Sequence, residues 1–199
     1  MTIPRSVARP HLLPLLRSAL VGEILAWIYL HPELNYSVAE LAQRFGASHR
    51  SVGREVDQLA EAGLVRCELR GNIRLLRAEL ATPLTRPLTE VLELTYGPIA
   101  VLTDVIPPVP GVDEAYLFGS WAARYAGVGG PPPRDVDVLV VGEADDGALG
   151  GAARVAERQL GRQVNIHRVP LGHWRSASRD PFLESVRARP ICALVTRRY

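Results

Sequence analysis

The chain has 199 residues, enough for one large domain or for two small ones with little core to spare. Its 47% hydrophobic and 22% charged content excludes wholesale disorder, and 23 basic against 21 acidic side chains leave a formal +2, which excludes a polybasic tail. Every basic residue is an arginine; the planar fork of arginine donates two hydrogen bonds to one anion, so any phosphate or nucleic-acid surface must come from local clustering.

Cys67 and Cys192 are the only cysteines and lie far apart, without a CxxC or Cys/His cluster. Zinc binding and a secreted disulfide framework are therefore excluded, and two reduced core thiols are expected. The longest apolar run, residues 19–30, is interrupted by Glu23 and is too short to span a bilayer. Residues 1–14 contain Arg5, Arg9, Pro10 and Pro14 but no apolar signal core. A cytoplasmic protein with no membrane association is expected.

Along the chain, residues 1–80 alternate helical patterns with short turns, and residues 81–110 read as a connector between proline groups. Residues 111–199 alternate short apolar runs with helical stretches, as in an α/β unit. In residues 15–30, Leu16, Leu20, Ile24, Trp27 and Ile28 fall on one helical face, which His31-Pro32 ends. Tyr36-Ser37 starts a second helix over 38–45, with Ser37 and Glu40 in capping-box spacing and Gly46 as its C-terminal turn. Ser48 caps a third helix that runs to about residue 62, with Val52, Val56 and Leu59 on one face and Gly63 at its end. Two alternating strands around Gly71-Asn72 form a hairpin.

Helix, glycine turn and helix make a helix-turn-helix, whose second helix enters the major groove by its N-terminal residues. Those are Ser48, His49, Arg50 and Ser51, with Arg54 one turn on; Arg70 and Arg74 flank the hairpin tip. Hydroxyls, an imidazole and guanidiniums suit phosphates and base edges, so double-stranded DNA is the expected partner. The stretch YSVAELAQRFGASHRSVGREVDQLAEAGLVRCELRGNIRLLRA resembles the winged-helix domain of ArsR-type bacterial regulators, over roughly residues 15–80. Metal-sensing members of that family carry a cysteine pair on the recognition helix. None stands there in this chain, so the resemblance does not extend to metal sensing. It does imply a homodimer, and the N-terminal helix and a helix over 88–105 are the candidates for the contact.

In the connector, Leu88, Val91, Leu92 and residues 94–102 form a helix with a break at Gly97-Pro98. An apolar strand over 113–118 then runs into Gly119-Ser120 and a short helix. Strand, glycine and helix leave backbone N–H groups free to meet an anion, and Ser120 adds a hydroxyl. After a Gly/Pro loop comes Arg134-Asp135-Val136-Asp137-Val138. On a strand the two aspartates share a face, and adjacent carboxylates repel unless a cation lies between them. Oxygen ligands of this kind suit Mg2+ or Mn2+ with substrate phosphates completing the shell.

The combination LFGSWAARYAG…RDVDVLVVG resembles the nucleotidyltransferase superfamily that includes DNA polymerase beta, especially its minimal bacterial members, over residues 111–195. The resemblance implies that Gly119 and Ser120 hold the phosphates of a nucleoside triphosphate, while Asp135 and Asp137 ligate magnesium. It implies transfer of a nucleoside monophosphate to an RNA or protein hydroxyl. Minimal members often work in toxin–antitoxin modules, so a partner toxin is expected. Two features depart from the pattern. The loop containing Gly129-Gly130-Pro131-Pro132-Pro133 is long and is expected to cover the site or meet a partner. The family's third acidic residue, on a later strand, is replaced by Asn165, which keeps a place among the metal ligands but carries no charge.

His167 lies two residues from Asn165 on the same face and can accept a proton instead. Arg124 can steady a phosphate, whereas Trp121 can stack on a base or pack in the core. Further elements are a helix over 144–160, a strand over 164–167, a helix starting at Asp180-Pro181 and a strand over 191–195; His173 and Trp174 fall in a loop. The expected fold is thus mixed α+β: a winged helix-turn-helix (1–80), a connector (81–110) and an α/β nucleotidyltransferase-type unit (111–199) with a small mixed sheet. It reads as a DNA-binding transcriptional regulator carrying a nucleotidyltransferase domain. The second reading makes that domain a nucleotide sensor or interaction module, because of Asn165.

Overall fold

A computed structural model describes residues 18–176 and 180–196. It divides into two compact units, one ending at Gly97 and the other running on from Pro98. The segment expected as a connector is therefore split between them at Gly97-Pro98.

In the first unit, α1 (Ala19–Leu30) begins at Ser18, whose hydroxyl accepts the Val21 N–H. The expected start at Leu15 lies outside the described residues. Tyr36–Ser37, just ahead of the next helix, is also a two-residue strand, β1, whose backbone pairs antiparallel with a later strand. Ser37 also caps α2 (Val38–Phe45): its hydroxyl accepts the Glu40 N–H at 3.2 Å, and Glu40 takes the Ser37 N–H at 2.6 Å. Gly46 closes α2 at φ +60°, in the left-handed region that glycine enters freely. After α3 (His49–Glu61), strands β2 (Val65–Arg70) and β3 (Ile73–Ala78) pair antiparallel, with Arg70 opposite Ile73 at the hairpin end. Helix α4 (Thr85–Tyr96) completes the unit.

The sheet order is β1-β3-β2. The core gathers Ile24, Leu25 and Ile28 from α1, Leu41 from α2, Val52 and Val56 from α3, Leu76 from β3 and Leu92 from α4. Of these, Ile24, Ile28, Val52, Val56 and Leu92 lie where the helical spacing put them, whereas Leu25, Leu41 and Leu76 join the core beside them. Burying them holds α3 at a set angle beside the hairpin, with its polar face outward.

The second unit opens with α5 (Pro98–Val105), then β4 (Val112–Phe118), α6 (Gly119–Tyr125), β5 (Asp135–Gly142) and α7 (Asp146–Leu160). It continues with β6 (Gln163–Val169), α8 (Leu171–Arg175), α9 (Pro181–Arg187) and β7 (Cys192–Thr196). The sheet order is β6-β5-β4-β7, with β5 and β6 parallel and the other pairs antiparallel. Strand alternation sends Val136, Val138 and Val140 into a core with Leu102, Trp121, Ala156 and Leu160. Leu139 and Val141 face the other way, against Leu183 and Val186 of α9.

His173 and Trp174, expected in a loop, lie in α8. Glu114 on β4 holds that helix in place: the Trp174 indole N–H donates to it at 3.1 Å, the Tyr116 hydroxyl donates at 2.7 Å, and Arg175 pairs with it at 3.6 Å. Burial, reinforced by this carboxylate, pushes the Tyr116 phenol up to about 12. Among the described residues, no helix is long and apolar enough to cross a membrane.

Candidate functional site

The C-terminal ends of β4 and α9 and the start of β5 meet around Asp137. Phe118 and Asn165 are its register partners on the two neighbouring strands. Asn165 donates from its amide nitrogen to Asp137 Oδ1 at 3.1 Å, and its own carbonyl accepts from Gln163 Nε2 at 3.0 Å. The other carboxylate oxygen lies against Gly119, where an added Cβ would sit only 2.6 Å from Oδ2. Gly119 also has φ +70°, so both its backbone and its missing side chain are needed there. Asp135, two residues before Asp137, is exposed at the start of β5 opposite Gln163.

A pocket of about 480 Å³ opens beside this carboxylate. Gly119, Ser120 and Asp137 line it, the rings of Phe118 and Phe182, 5.7 Å apart, give it apolar surface, and Ser185 and Arg189 add polar groups. Its size suits a small organic ligand, and its lining combines aromatic surface with a few polar groups. The structure thus brings together Gly119, Ser120 and Asp137 of the expected set, with Asn165 reaching Asp137 by its amide.

Other expected residues stand elsewhere. Arg124 donates to the Gly130 carbonyl, which ties it to the long Gly/Pro loop rather than to the pocket lining. The exposed His167 lies opposite Leu139, one same-face step along from Asn165. Its ring packs against Phe118 and Phe182, with centroids 5.8 and 5.1 Å away. Trp121 is 1% exposed in the core and has no surface to offer a base. Phe182, Ser185 and Arg189 were not singled out from the sequence. Phe182 and Ser185 recur at i and i+3 on α9, and that spacing is the signal that could have found them, whereas Arg189 lies past the helix end in the turn to β7.

Aspartate oxygens, with no thiolate or imidazole, form a hard donor set that fits Mg2+ or Mn2+. Among the described residues, no three His, Cys, Asp or Glu side chains gather to hold a metal ion. Two carboxylates would therefore need substrate phosphates to complete the shell. The clearance left by Gly119 keeps Asp137 Oδ2 close to the backbone turn where such phosphates would lie.

In the first unit, Ser48 and Ser51 serve the helix itself. The Ser48 hydroxyl accepts the Ser51 N–H at 3.0 Å and lies 2.9 Å from the Ser51 hydroxyl. His49 and Arg50 are exposed on the first turn of α3, and the Arg54 side chain is 69% exposed while touching Glu55 at 3.3 Å. Arg70 is exposed at the hairpin. Arg74 instead bridges the hairpin to α3, donating to the Asp57 carboxylate and to Cys67 Sγ at 3.1 Å. The Asp57 bond, and then the Cys67 contact, push its guanidinium above the ordinary arginine value. Cys67, expected in the core, is half-buried at this contact. Arg66 and Arg77 face each other across β2 and β3, both exposed, and add positive charge to the hairpin.

No family model matches the chain, and no curated protein matches it. Solved structures similar to parts of it include reduced HlyU from Vibrio cholerae N16961, at 20% identity over 43% of this chain and 84% of that one, with a TM-score of 0.35. The transcriptional regulator BldR from Sulfolobus solfataricus is 22% identical over 51% of this chain and 70% of that one, with a TM-score of 0.38. A mutant of the toxin–antitoxin MntA-HpeT is 22% identical over 50% and 70%, with a TM-score of 0.32. Likeness at this level transfers no activity to this chain. By architecture, the first unit is a helix-turn-helix followed by a β-hairpin wing, and the second an α/β unit with a small mixed sheet.

Proposed function

We propose that the protein is a DNA-binding transcriptional regulator whose second unit binds a magnesium-complexed nucleoside triphosphate and transfers the nucleoside monophosphate to a protein or RNA hydroxyl. The observation that carries this reading is the Asp137 carboxylate, held against side-chain-free Gly119 at the edge of the pocket, with Asp135 on the same strand face. Gly119 and Ser120 receive phosphate oxygens through backbone N–H and hydroxyl donors. The apolar wall of Phe118 and Phe182 covers the nucleoside and excludes water from it. Asp135 and Asp137 would hold Mg2+, which when bound neutralises phosphate charge as it develops.

The acceptor oxygen forms its bond to the α phosphorus while the bond to the bridging oxygen breaks. Pyrophosphate leaves, and the acceptor proton passes to solvent or to His167. A partner toxin is the protein acceptor that the sequence resemblance favours, and a homodimer would read a two-fold DNA site.

Incubation with each of the four alpha-labelled nucleoside triphosphates and Mg2+, with the protein itself, total tRNA and cell lysate as acceptors, tests the reading. Label is expected on one acceptor class and is expected to vanish in the Asp135→Ala/Asp137→Ala variant. Label that persists in that variant would remove the site from the reaction.

One observation favours a second reading, a nucleotide sensor that controls DNA affinity. Asn165 meets Asp137 with an N–H donor where the family resemblance calls for a carboxylate. An amide cannot serve as a base near neutral pH. Asn165→Asp therefore discriminates between the two. For a sensor, the native chain binds nucleotide without transfer, and the variant gains label transfer from a zero background. For an active transferase, the variant raises an existing rate, by about tenfold if the new carboxylate supplies about 1.4 kcal/mol to the transition state.

A further inference from the structure

We infer that Arg189 is the cation that grips the phosphate chain of the ligand in this pocket, a role that rests on the nucleotide-binding reading above. Three observations meet at this residue. First, Arg189 lines the same pocket as Gly119, Ser120 and Asp137. Second, its root is fixed. The Arg189 N–H donates to the Val186 carbonyl at 3.4 Å, Pro190 follows, and Cys192 of β7 pairs with Leu117, two residues before Gly119. The turn from α9 into β7 is thereby tied to the strand that ends at the glycine turn, and Arg189 and that turn line one pocket.

Third, four other guanidiniums of this unit are already engaged. Arg124 donates to Gly130, Arg168 pairs with Glu143 and Asp146, Arg175 pairs with Glu114, and Arg187 lies over the Trp174 ring. Among the described residues, no carboxylate pairs with Arg189. A guanidinium beside hydroxyls of Ser120 and Ser185, in a pocket with one aromatic wall, matches a ligand that is anionic at one end and flat and apolar at the other. The fork can take two oxygens of one phosphate, or one from each of two adjacent phosphates. Arg189 thus divides the work with Asp137, since the carboxylate can reach phosphate only through a cation whereas the guanidinium meets it directly.

The test measures calorimetric binding to the full chain, with Mg2+, of each nucleoside triphosphate, its parent nucleoside and inorganic tripolyphosphate. The native chain is compared with Arg189→Gln and Arg189→Lys. Arg189 is exposed, so neither variant should disturb folding, which circular dichroism checks. For Arg189→Gln, triphosphate and tripolyphosphate affinities are expected to fall at least tenfold with nucleoside affinity unchanged; Arg189→Lys is expected to recover part of the loss. Equal losses for triphosphate and nucleoside, or no loss for either polyphosphate, would overturn the assignment. If the native chain binds no nucleotide yet binds tripolyphosphate through Arg189, the nucleotide reading fails and the phosphate grip stands.

Discussion

Gly119→Ala is expected to weaken magnesium-dependent nucleotide binding at least a hundredfold while leaving the second unit folded. Two costs fall on this one methyl group. At φ +70° an L-residue is strained by about 1–2 kcal/mol. The new Cβ would also stand 2.6 Å from Asp137 Oδ2, inside any real contact distance. Asp137 cannot yield without disturbing the bond that its other oxygen accepts from Asn165. The carboxylate must swing out of its place, taking with it the oxygen proposed to meet the metal.

Gly127→Ala separates strain from collision. Gly127 has φ +97° and nothing within 4 Å of an added Cβ, so the variant should lose stability but keep nucleotide affinity. Calorimetric titration with Mg2+ and nucleoside triphosphate, alongside thermal unfolding, reads both effects. Nucleotide affinity at the native level in Gly119→Ala would mean that the position of Asp137 does not matter to the site.

The second large effect is expected on DNA. Arg50→Ala/Arg54→Ala should reduce affinity for a duplex selected by the native protein at least tenfold and lower the salt slope of log K by about 1 to 2. Both side chains are exposed on the face of α3 that the core leaves free. Each phosphate neutralised releases condensed counterions and contributes about 0.9 to that slope. Arg74→Ala should behave differently: its guanidinium is engaged by Asp57 and Cys67, so its loss unfastens the hairpin from α3 more than it removes a phosphate contact. An unchanged salt slope in the double variant would take α3 out of the DNA interface.

Much of the first unit is legible from short-range chemistry. Ser37 with Glu40, Gly46 and Ser48 each act within one helical turn, and a hydroxyl cap or a left-handed glycine does the same work in any context. The alternation Asp135-Val136-Asp137-Val138 likewise declares which face is buried, because strand side chains alternate whatever lies beyond them. The break at Gly97-Pro98 was also visible, since proline cannot continue the hydrogen bonding of the preceding helix. The chain did not reveal that this break divides the two units, which depends on which core each half of the connector joins.

Sequence alone, then, determined the local elements, the carboxylate pair on one strand face and the arginines of α3, all set by periodicities and caps that span only a few residues. Tertiary structure alone decided that Tyr36 and Ser37 pair with β3, that Arg74 is tied to Asp57, and that Trp121 belongs to the core. It also decided that α9 lies over the aspartate face and carries Phe182 and Ser185 into the pocket, with Arg189 in the turn that follows. The physical reason is common to all of these: each depends on a partner distant in the chain, and packing and strand registry, rather than local backbone preference, select that partner.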